Sequence, residues 1–427
     1  MIGSLTLGIV FIILLLMGVP LGFSLGMASI IALLIKGAMP MEVVPQMLFS
    51  GANNYLLTAV PLFMLAGSLM SKGGISERIF NFARALVGWM TGGIGHVNVV
   101  ASLLFGGISG SSTSDVAALG PIEIEAMTAN GYPKTYATAL TITTAPLASL
   151  IPPSIGLVIY GYVAGQSVGK LFVGGIGPGI MYGLILMMVN YFLSKKYNWG
   201  TKTKFTFANI WETGIRAILP MLTPIIVVGG ILTGIVTPTE AATLAVIWTL
   251  FLSIVIEKSI KVKDIPKIIL ESGKVSAIAL FVILPSVLSS WILAYEKVPI
   301  YLANWLVEVS NTQTIFIFLV GIILLIMGMF IGTSILILIV SPLLVPVAIQ
   351  LGMDPIHFGI VMMAWCGIGL FTPPVGNCLY VGSAVSQLPV EKIVGKEYLI
   401  LLFASIVATL IIAFYPPITM FLVELLF

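Results

Sequence analysis

Long apolar runs dominate this chain, and most of them reach the length of about 20 residues that a membrane-spanning helix requires. Nine apolar runs predict spanning helices, at residues 4–35, 52–71, 137–168, 171–193, 215–236, 239–257, 275–295, 358–386 and 397–425. Two further stretches, 93–130 and 314–350, are interrupted near the middle by glycine and polar residues. Each is long enough to enter the membrane, turn and leave on the same side, so the pattern predicts two re-entrant helical hairpins.

The composition supports a membrane protein. Of the 427 residues, 59% are hydrophobic and 8% are charged, whereas a soluble domain carries about 25% charged residues. We therefore expect the lipid bilayer to be the solvent for most of the chain. The formal net charge of +3 gives no support for nucleic-acid binding. The first residues lack a basic start and a small-residue cleavage site, so we expect an uncleaved first span.

Basic residues orient the predicted helices, because lysine and arginine are enriched in cytoplasmic loops. The first interrupted stretch is flanked by Lys72, Arg78, Arg84 and Lys134. It is therefore predicted to open to the cytoplasm. The second has one basic neighbour, Lys297, and is predicted to open to the periplasm. Lys36 is the one basic residue that this topology does not explain.

The two interrupted stretches form an internal repeat. A shift of 221 residues aligns glycines and prolines without a gap between residues 107 and 161. The matched residues are Gly107 and Gly328, Pro121 and Pro342, Gly131 and Gly352, Pro152-Pro153 and Pro373-Pro374, and Gly161 and Gly382. These residue types determine backbone shape. Because the charges orient the copies oppositely, we predict an all-α integral membrane protein with the inverted repeat of secondary transporters.

The repeat divides the chain into four segments. They are an N-terminal scaffold helix and linker at 1–59, repeat 1 at 60–194, central scaffold helices and cytoplasmic loops at 195–274, and repeat 2 at 275–427. Each repeat contains one hairpin and one broken helix, at 137–168 in the first and at 358–386 in the second. Segments 75–90 and 298–311 look amphipathic and are predicted to lie at the membrane interface.

The tip of the first hairpin, Gly106–Asp115, is rich in glycine and hydroxyl side chains. Free backbone groups cannot face hydrocarbon, so this segment must face protein or a cavity. Its oxygen atoms are hard ligands of the kind that Na⁺ prefers. Asp115 is an intramembrane carboxylate and hence a functional candidate. Capping of the second arm by Asp115 and close helix packing by the serines are the simpler alternatives.

The broken helices carry paired prolines, Pro152-Pro153 and Pro373-Pro374. Two prolines remove two N–H donors, so each helix unwinds and frees upstream carbonyl groups. A proline kink without a binding role is the alternative. The copies are unequal, because Ser109, Ser111 and Asp115 correspond to Phe330, Gly332 and Leu336. A second cation site would therefore rely more on carbonyl groups.

Other chemical interpretations are weaker. Residues 107–110 spell the Gly-x-Ser-Gly found around intramembrane serine nucleophiles, but the two histidines, His96 and His357, lie near opposite faces in this topology. An intramembrane serine protease is therefore disfavoured. Glu123 and Glu125 follow on the arm that returns to the cytoplasm, and we expect both to be solvated near the hairpin mouth.

Several motifs together resemble the large membrane subunit of tripartite ATP-independent periplasmic (TRAP) transporters over essentially the whole chain. They are Val60–Gly67, Gly95–Ser102, Gly106–Gly120, Ile151–Ser154 and Gly369–Gly376. The resemblance implies an elevator mechanism, a separate small four-helix membrane subunit, a periplasmic substrate-binding protein, and Na⁺-driven import of a carboxylate without an ATPase. The chain has no Walker A motif, in agreement.

The resemblance also implies site residues. Carried over by position, a first Na⁺ site comprises Ser109, Ser111, Ala148, Ile151 and Pro153. The repeat proposes a second Na⁺ site at Phe330, Gly332, Gly369, Thr372 and Pro374. Candidate substrate-binding residues are Ser112, Asp115, Ser154, Thr333 and Asn377.

The sequence therefore predicts a multi-pass protein of the bacterial inner membrane, not an enzyme, that imports a small organic acid with Na⁺. Sialic acid is favoured over C4-dicarboxylates. An anion:cation symporter that works without a binding protein is the alternative within transport. A passive channel is the alternative from another class, but polar residues gather at the breaks and form no continuous path.

Overall fold

The computed structural model describes residues 2–37, 40–53, 55–200, 205–298, 300–301 and 312–427. Over these ranges the chain is helical, and no β-strand occurs in them. This confirms the all-α prediction.

The helices are numbered here in chain order. The first ten are α1 Ile2–Leu16, α2 Leu21–Lys36, α3 Val43–Ala52, α4 Ala59–Lys72, α5 Ile75–Val87, α6 Gly93–Ser109, α7 Ser112–Ala129, α8 Lys134–Thr144, α9 Leu147–Leu150 and α10 Ile155–Ala164. The next are α11 Val168–Tyr197, α12 Phe207–Leu232, α13 Pro238–Phe251, α14 Ile265–Tyr295, α15 Gln313–Phe330 and α16 Thr333–Gln350. The last are α17 Pro355–Gly369, α18 Asn377–Ser386, α19 Val390–Ile393, α20 Lys396–Phe414 and α21 Pro417–Leu426.

Among the described residues, 8 helical segments are long and apolar enough to cross a membrane, and a bent pair raises the number to 9. That pair is Lys134–Leu150 with Ile155–Ala164, bent by 42° at the first proline pair. A multi-pass membrane protein is therefore confirmed.

Two predicted single spans are each divided into two helices. Residues 4–35 form α1 and α2, because Gly18 adopts a left-handed φ of 77° and Pro20 precedes α2. The region 397–425 forms α20 and α21, which separate at Pro416-Pro417. Proline cannot continue the hydrogen-bonded ladder of a helix, and hydropathy alone does not register so short an interruption.

Both predicted hairpins are present. Helices α6 and α7 are joined by Gly110-Ser111, and α15 and α16 by Ile331-Gly332. In each copy the second arm ends at a left-handed glycine, Gly131 with φ 85° and Gly352 with φ 78°. The glycines aligned by the 221-residue shift therefore occupy equivalent turns.

The long helix α11 shows that the two hairpins enter from opposite ends. The mouth of the first lies against the C-terminal part of α11, where the Tyr132 hydroxyl is 3.1 Å from that of Ser194. The helix that follows the second hairpin meets the N-terminal part, where a Cβ on Gly174 would lie 3.4 Å from Ile356. Gly174 and Ser194 are 20 residues apart in α11, about 30 Å along a helix. An inverted arrangement of the two hairpins follows.

The predicted interfacial helix at 75–90 corresponds to α5, which buries Ile75, Ile79, Phe80 and Ala83 on one face. Most of the second amphipathic segment, 298–311, lies outside the described residues.

Lys36, which the charge pattern did not explain, forms an ion pair. Its ammonium nitrogen lies 2.7 Å from Glu296, whose side chain is 1% exposed, and 4.5 Å from the ring centroid of Tyr295. The same carboxylate accepts hydrogen bonds from the backbone N–H groups of Gly3 and Ser4 at 3.1 and 2.7 Å. The charge of Lys36 is thus neutralised inside the fold, so it carries no information about loop orientation.

Candidate functional site

The first hairpin tip packs directly on the first helix break. A Cβ on Gly106 would lie 2.8 Å from the Cα of Ala148, and one on Gly110 would lie 2.6 Å from the Pro153 carbonyl oxygen. The backbone N–H of Ile155 donates to the Gly110 carbonyl at 3.3 Å. Only glycine allows this approach of backbone to backbone.

The second tip contacts the second break in a similar way. A Cβ on Gly369 would lie 2.6 Å from the Cα of Gly328, and the N–H of Gly376 donates to the Met329 carbonyl at 2.8 Å. Under the 221-residue shift Gly369 corresponds to Ala148. The repeat therefore places the same type of tip-to-break contact in both halves.

A cavity of about 230 Å³ lies where both tips and both breaks meet. Its lining includes Gly110, Ser111, Ser112, Thr113, Ser149, Ile155, Gly332, Thr333, Ser334 and Asn377. Helices α4 and α14 close one side with Met64, Val275 and Ile278. No lysine, arginine, aspartate or glutamate is among the described lining residues.

Among the described helices, four begin at this cavity. The first residues of α7, α10, α16 and α18 are Ser112, Ile155, Thr333 and Asn377, and all of them line it. A helix N-terminus carries free N–H groups and the positive end of the helix dipole. Four such ends directed at one space favour an anion, without any basic side chain.

The predicted residues of the first Na⁺ site lie together at the contact between tip and break. Ser109 is buried, and its hydroxyl has no hydrogen-bond partner among the described residues. The Ser111 hydroxyl lies 3.3 Å from that of Thr113. Pro152 has no N–H to bond the Ala148 carbonyl, which is therefore free to bind a cation. Ile151 and Pro153 occupy the extended segment beside the tip. Hydroxyl and carbonyl oxygens suit Na⁺, so this donor set fits the ion.

The predicted residues of the second Na⁺ site differ in burial and in the atoms that they could offer to an ion. Gly332 lines the cavity, and Gly369 is buried against the tip. The Thr372 hydroxyl donates to the Ile368 carbonyl at 2.8 Å, so its oxygen can still accept or ligate. Phe330 is 60% exposed, and Pro374 is also exposed. Only their carbonyl groups could serve an ion.

Three of the five candidate substrate residues, Ser112, Thr333 and Asn377, line the cavity. The Ser112 hydroxyl is 2.7 Å from that of Ser149, and the Thr333 hydroxyl has no partner among the described residues. The other two candidates, Asp115 and Ser154, do not line the cavity. Asp115 is 1% exposed on α7, and the Ser154 side chain caps α10 by accepting from the Leu157 N–H at 3.4 Å.

Glu123 differs from its sequence-based prediction. Glu125 is exposed, as predicted, but Glu123 is 0% exposed. The two residues lie two positions apart on α7 and so point in different directions. The prediction from distance to the hairpin mouth ignored this rotation.

A second cavity, of about 160 Å³, adjoins the first and was not predicted. It shares Met64, Ser111, Ile155 and Val275 with the first cavity and extends to Lys72 and Glu271, which form an ion pair. Lys72 lies on α4 and Glu271 on α14, 199 residues apart, so no local pattern predicts that their side chains meet at this cavity.

Comparisons with known proteins agree with this architecture. The sequence model of the family described as tripartite ATP-independent periplasmic transporter, DctM component, matches residues 8–418. The sialic acid TRAP transporter large permease of Vibrio cholerae is 38% identical over 408 residues, which cover 96% of this chain and 95% of that protein. The C4-dicarboxylate TRAP transporter large permease of Pseudomonas aeruginosa is 36% identical, with 93% of each chain covered.

A solved structure with a similar fold is the transporter YdaH of Alcanivorax borkumensis. It has a TM-score of 0.60 and 13% sequence identity, and 88% of each chain is covered. At this identity the similarity concerns the fold alone.

Proposed function

We propose, from the premise that this chain belongs to the DctM component family of tripartite ATP-independent periplasmic transporters, that it couples Na⁺ entry to the import of a small organic acid. Members of this family are large permeases of the bacterial inner membrane and not enzymes. They work with a small membrane subunit and a substrate-binding protein. The identity of the acid, the coupling to Na⁺ and the elevator motion are the further steps of the proposal.

The observation that carries the proposal is the convergence of four described helix N-termini on the cavity between the hairpin tips. A carboxylate fits this space because the helix ends supply N–H donors and positive potential. The tip and the break beside it supply oxygen ligands for Na⁺ at Ser109, Ser111 and Ala148. A bound cation next to the cavity would attract the carboxylate further and would make its binding depend on Na⁺.

We favour sialic acid over C4-dicarboxylates because of the cavity's lining. Hydroxyl and amide groups at Ser111, Ser112, Thr113, Ser149 and Asn377 suit a substrate that carries many hydroxyl groups. A dicarboxylate would bring a second negative charge, and no basic side chain is among the described lining residues.

The proposed movement is that of an elevator. The hairpins and broken helices would slide as one unit against α4 and α14, which form the other wall of the cavity. The second cavity, with the Lys72–Glu271 pair at its edge, would then be the route of release to the cytoplasm.

Reconstitution in liposomes tests the proposal. The chain, its small subunit and the binding protein are incorporated, and uptake of labelled sialic acid or a C4-dicarboxylate is followed under an inward Na⁺ gradient. We expect accumulation of sialic acid against its gradient, with no ATP present. Full uptake with K⁺ alone would refute Na⁺ coupling, and full uptake without the binding protein would favour the anion:cation symporter. Equilibration without accumulation would indicate a passive channel.

A single substitution tests the first Na⁺ site. Ser109→Ala should raise the Na⁺ concentration for half-maximal uptake by at least about tenfold, since loss of one good ligand costs about 1.4 kcal/mol or more. The matched control is Ser253→Ala, because Ser253 is also buried with a hydroxyl that lacks a partner in the described structure. Equal Na⁺ dependence in the two variants would remove Ser109 from the site.

A further inference from the structure

The core of the first hairpin contains a buried polar cluster that the proposed transport site does not use. Glu123 on α7 is 0% exposed, and its Oε1 lies 3.5 Å from the Ser102 hydroxyl on α6. The Thr141 hydroxyl on α8 also lies beside this carboxyl. Its other oxygen, Oε2, has no hydrogen-bond partner among the described residues. Glu123 lines neither cavity at the tip.

Apart from the hydrogen of the Thr141 hydroxyl, the cluster has no free hydrogen to donate to an ionised Glu123 carboxylate. The Thr144 hydroxyl donates to the Thr141 carbonyl at 2.8 Å, so the 3.0 Å contact between Ser102 and Thr144 takes the Ser102 hydrogen. A hydroxyl has one hydrogen to donate. The long contact from Ser102 to Glu123 is therefore left without a well-placed donor.

Asn98 provides an independent sign that a hydrogen is missing. Its side chain is 0% exposed, and its amide nitrogen donates to the Thr141 hydroxyl at 2.6 Å. Its carbonyl oxygen Oδ1 has no partner among the described residues. A buried acceptor without a donor costs about 1–3 kcal/mol. Thr141 lies next to both Asn98 and Glu123, so Asn98 belongs to the same buried polar cluster.

No cation compensates Glu123 in the described part of the chain. The other titratable groups on α7 and on the helices packed against it are Lys72, Glu77, Arg78, Arg84, His96, Asp115, Glu125, Lys134, Tyr136, Cys378 and Tyr380. Lys72 and Arg78 form ion pairs with Glu271 and Glu257. Arg84 and Lys134 are exposed, and no described ion pair includes Glu123. The charge that acts on Glu123 is that of Asp115, which is also negative when ionised.

We propose that Glu123 is a proton-binding site of the first hairpin, and that transport requires this proton. The proposal rests on the transport function proposed above. A carboxylate without a described cation beside it would move with the hairpin across the membrane at a high energetic cost. A proton removes the charge and supplies the hydrogen that the cluster lacks, and it needs no cavity, whereas a metal ion does.

The proton can exchange with water through the hairpin mouth. A groove of about 510 Å³ lies along α7 and is lined by Pro121, Ile124, Glu125, Thr128 and Lys134. These residues bracket Glu123 in the sequence, so water approaches within one helical turn of it. Release of the proton at high pH would leave a charged hairpin that crosses the membrane slowly.

The test compares Glu123→Gln with Glu125→Gln, which lies on the exposed side of the same helix. Na⁺-driven uptake is measured at equal pH on both sides of the liposome, from about pH 6 to about pH 9. Wild-type uptake should fall by up to about tenfold per pH unit at the alkaline end, because one proton is required. Glutamine mimics the protonated acid, so Glu123→Gln should be active and vary less than twofold by the same relation. Glu125→Gln should follow the wild type.

Three results would overturn the proposal: wild-type uptake that does not vary with pH, an unchanged pH profile of uptake in Glu123→Gln, or a change only in the Na⁺ dependence of Glu123→Gln, which would indicate a Na⁺ site.

Infrared spectroscopy of the purified chain gives a readout without transport. Because Asp115 is also buried, the Glu123 band is identified as the carboxylic acid C=O band at neutral pH that the wild type and Glu125→Gln share and that is missing from Glu123→Gln. Its absence from the wild type would refute the proton site even if Na⁺-driven uptake is normal. Absence of uptake in every protein would instead refute the transport function and leave the infrared result to decide.

Discussion

Gly110→Ala should reduce Na⁺-driven uptake to the level of empty liposomes while the protein still inserts in the membrane. Gly110 has a left-handed φ of 59°, which costs an alanine about 1–2 kcal/mol. Its Cβ would also lie 2.6 Å from the Pro153 carbonyl oxygen. That atom belongs to backbone and cannot turn away as a flexible side chain can. The tip must therefore separate from the break, and the predicted Na⁺ ligands separate with it.

Gly131→Ala is the matched control, because Gly131 has a φ of 85° but its Cβ would have no atom within 4 Å. It carries the same type of backbone strain without the contact, so uptake should be largely retained. A glycine change in the second tip, Gly332→Ala, should also be mild, since the nearest atom would be Asn377 Nδ2 at 3.8 Å. If Gly110→Ala and Gly131→Ala lose activity equally, backbone strain explains the loss and the tip contact does not. Size-exclusion chromatography of each variant checks folding.

The parts of the fold that were predicted correctly are those set by glycine and proline. These residues act on their own backbone, so their positions at residues 107–161 and 328–382 locate the hairpins and breaks without knowledge of packing. The opposite directions of the two hairpins were predicted from the basic residues that flank them, which respond to the membrane and not to neighbours in the fold.

The errors concern side chains whose environment depends on distant residues. Lys36 was an exception to the charge pattern because its partner, Glu296, is 260 residues away. Glu123 was placed in water because depth along the helix was considered and rotation was not. Met64, Val275 and Ile278 were missed at the cavity wall because nothing in an apolar helix distinguishes a residue that faces substrate from one that faces lipid.

The candidate site was likewise predicted only where local sequence determines it. The sequence indicated which segments would unwind, and hence which carbonyls would lose their partners. It did not indicate that four helix N-termini in the described structure would point into one cavity, since that depends on how both repeats assemble. Asp115 was a candidate because it is an intramembrane carboxylate, yet the cavity is lined by neutral groups and helix ends. Anion binding can arise from backbone geometry, which a search for charged side chains overlooks.

The ion pair between Lys36 and Glu296 should make a large contribution to stability, because it joins the end of α2 to the end of α14. Lys36→Met should lower the free energy of unfolding by about 3 kcal/mol, the lower end for a broken buried pair. The lower end applies because Lys36 is 21% exposed, whereas the carboxylate is almost fully enclosed. Thermal unfolding in detergent measures the effect. Lys297→Met is the control, since Lys297 is exposed beside the same carboxylate and no ion pair is described for it.

The pH dependence of the same variants separates charge from packing. Burial alone would raise the pKa of Glu296, but hydrogen bonds from Lys36 and Ser4 lower it well below its ordinary value of 4.5. A carboxyl with a lowered pKa stabilises the fold above its unfolded value and loses that contribution as the pH falls. Wild-type stability should therefore decline below about pH 4.5, and Glu296→Gln should decline less. In the double variant Lys36→Met/Glu296→Gln the buried carboxylate charge is removed together with the lysine, so its unfolding temperature should exceed that of Lys36→Met. If the double variant is less stable than Lys36→Met at neutral pH, the loss comes from the packing of the lysine side chain and not from the loss of its charge beside the carboxylate.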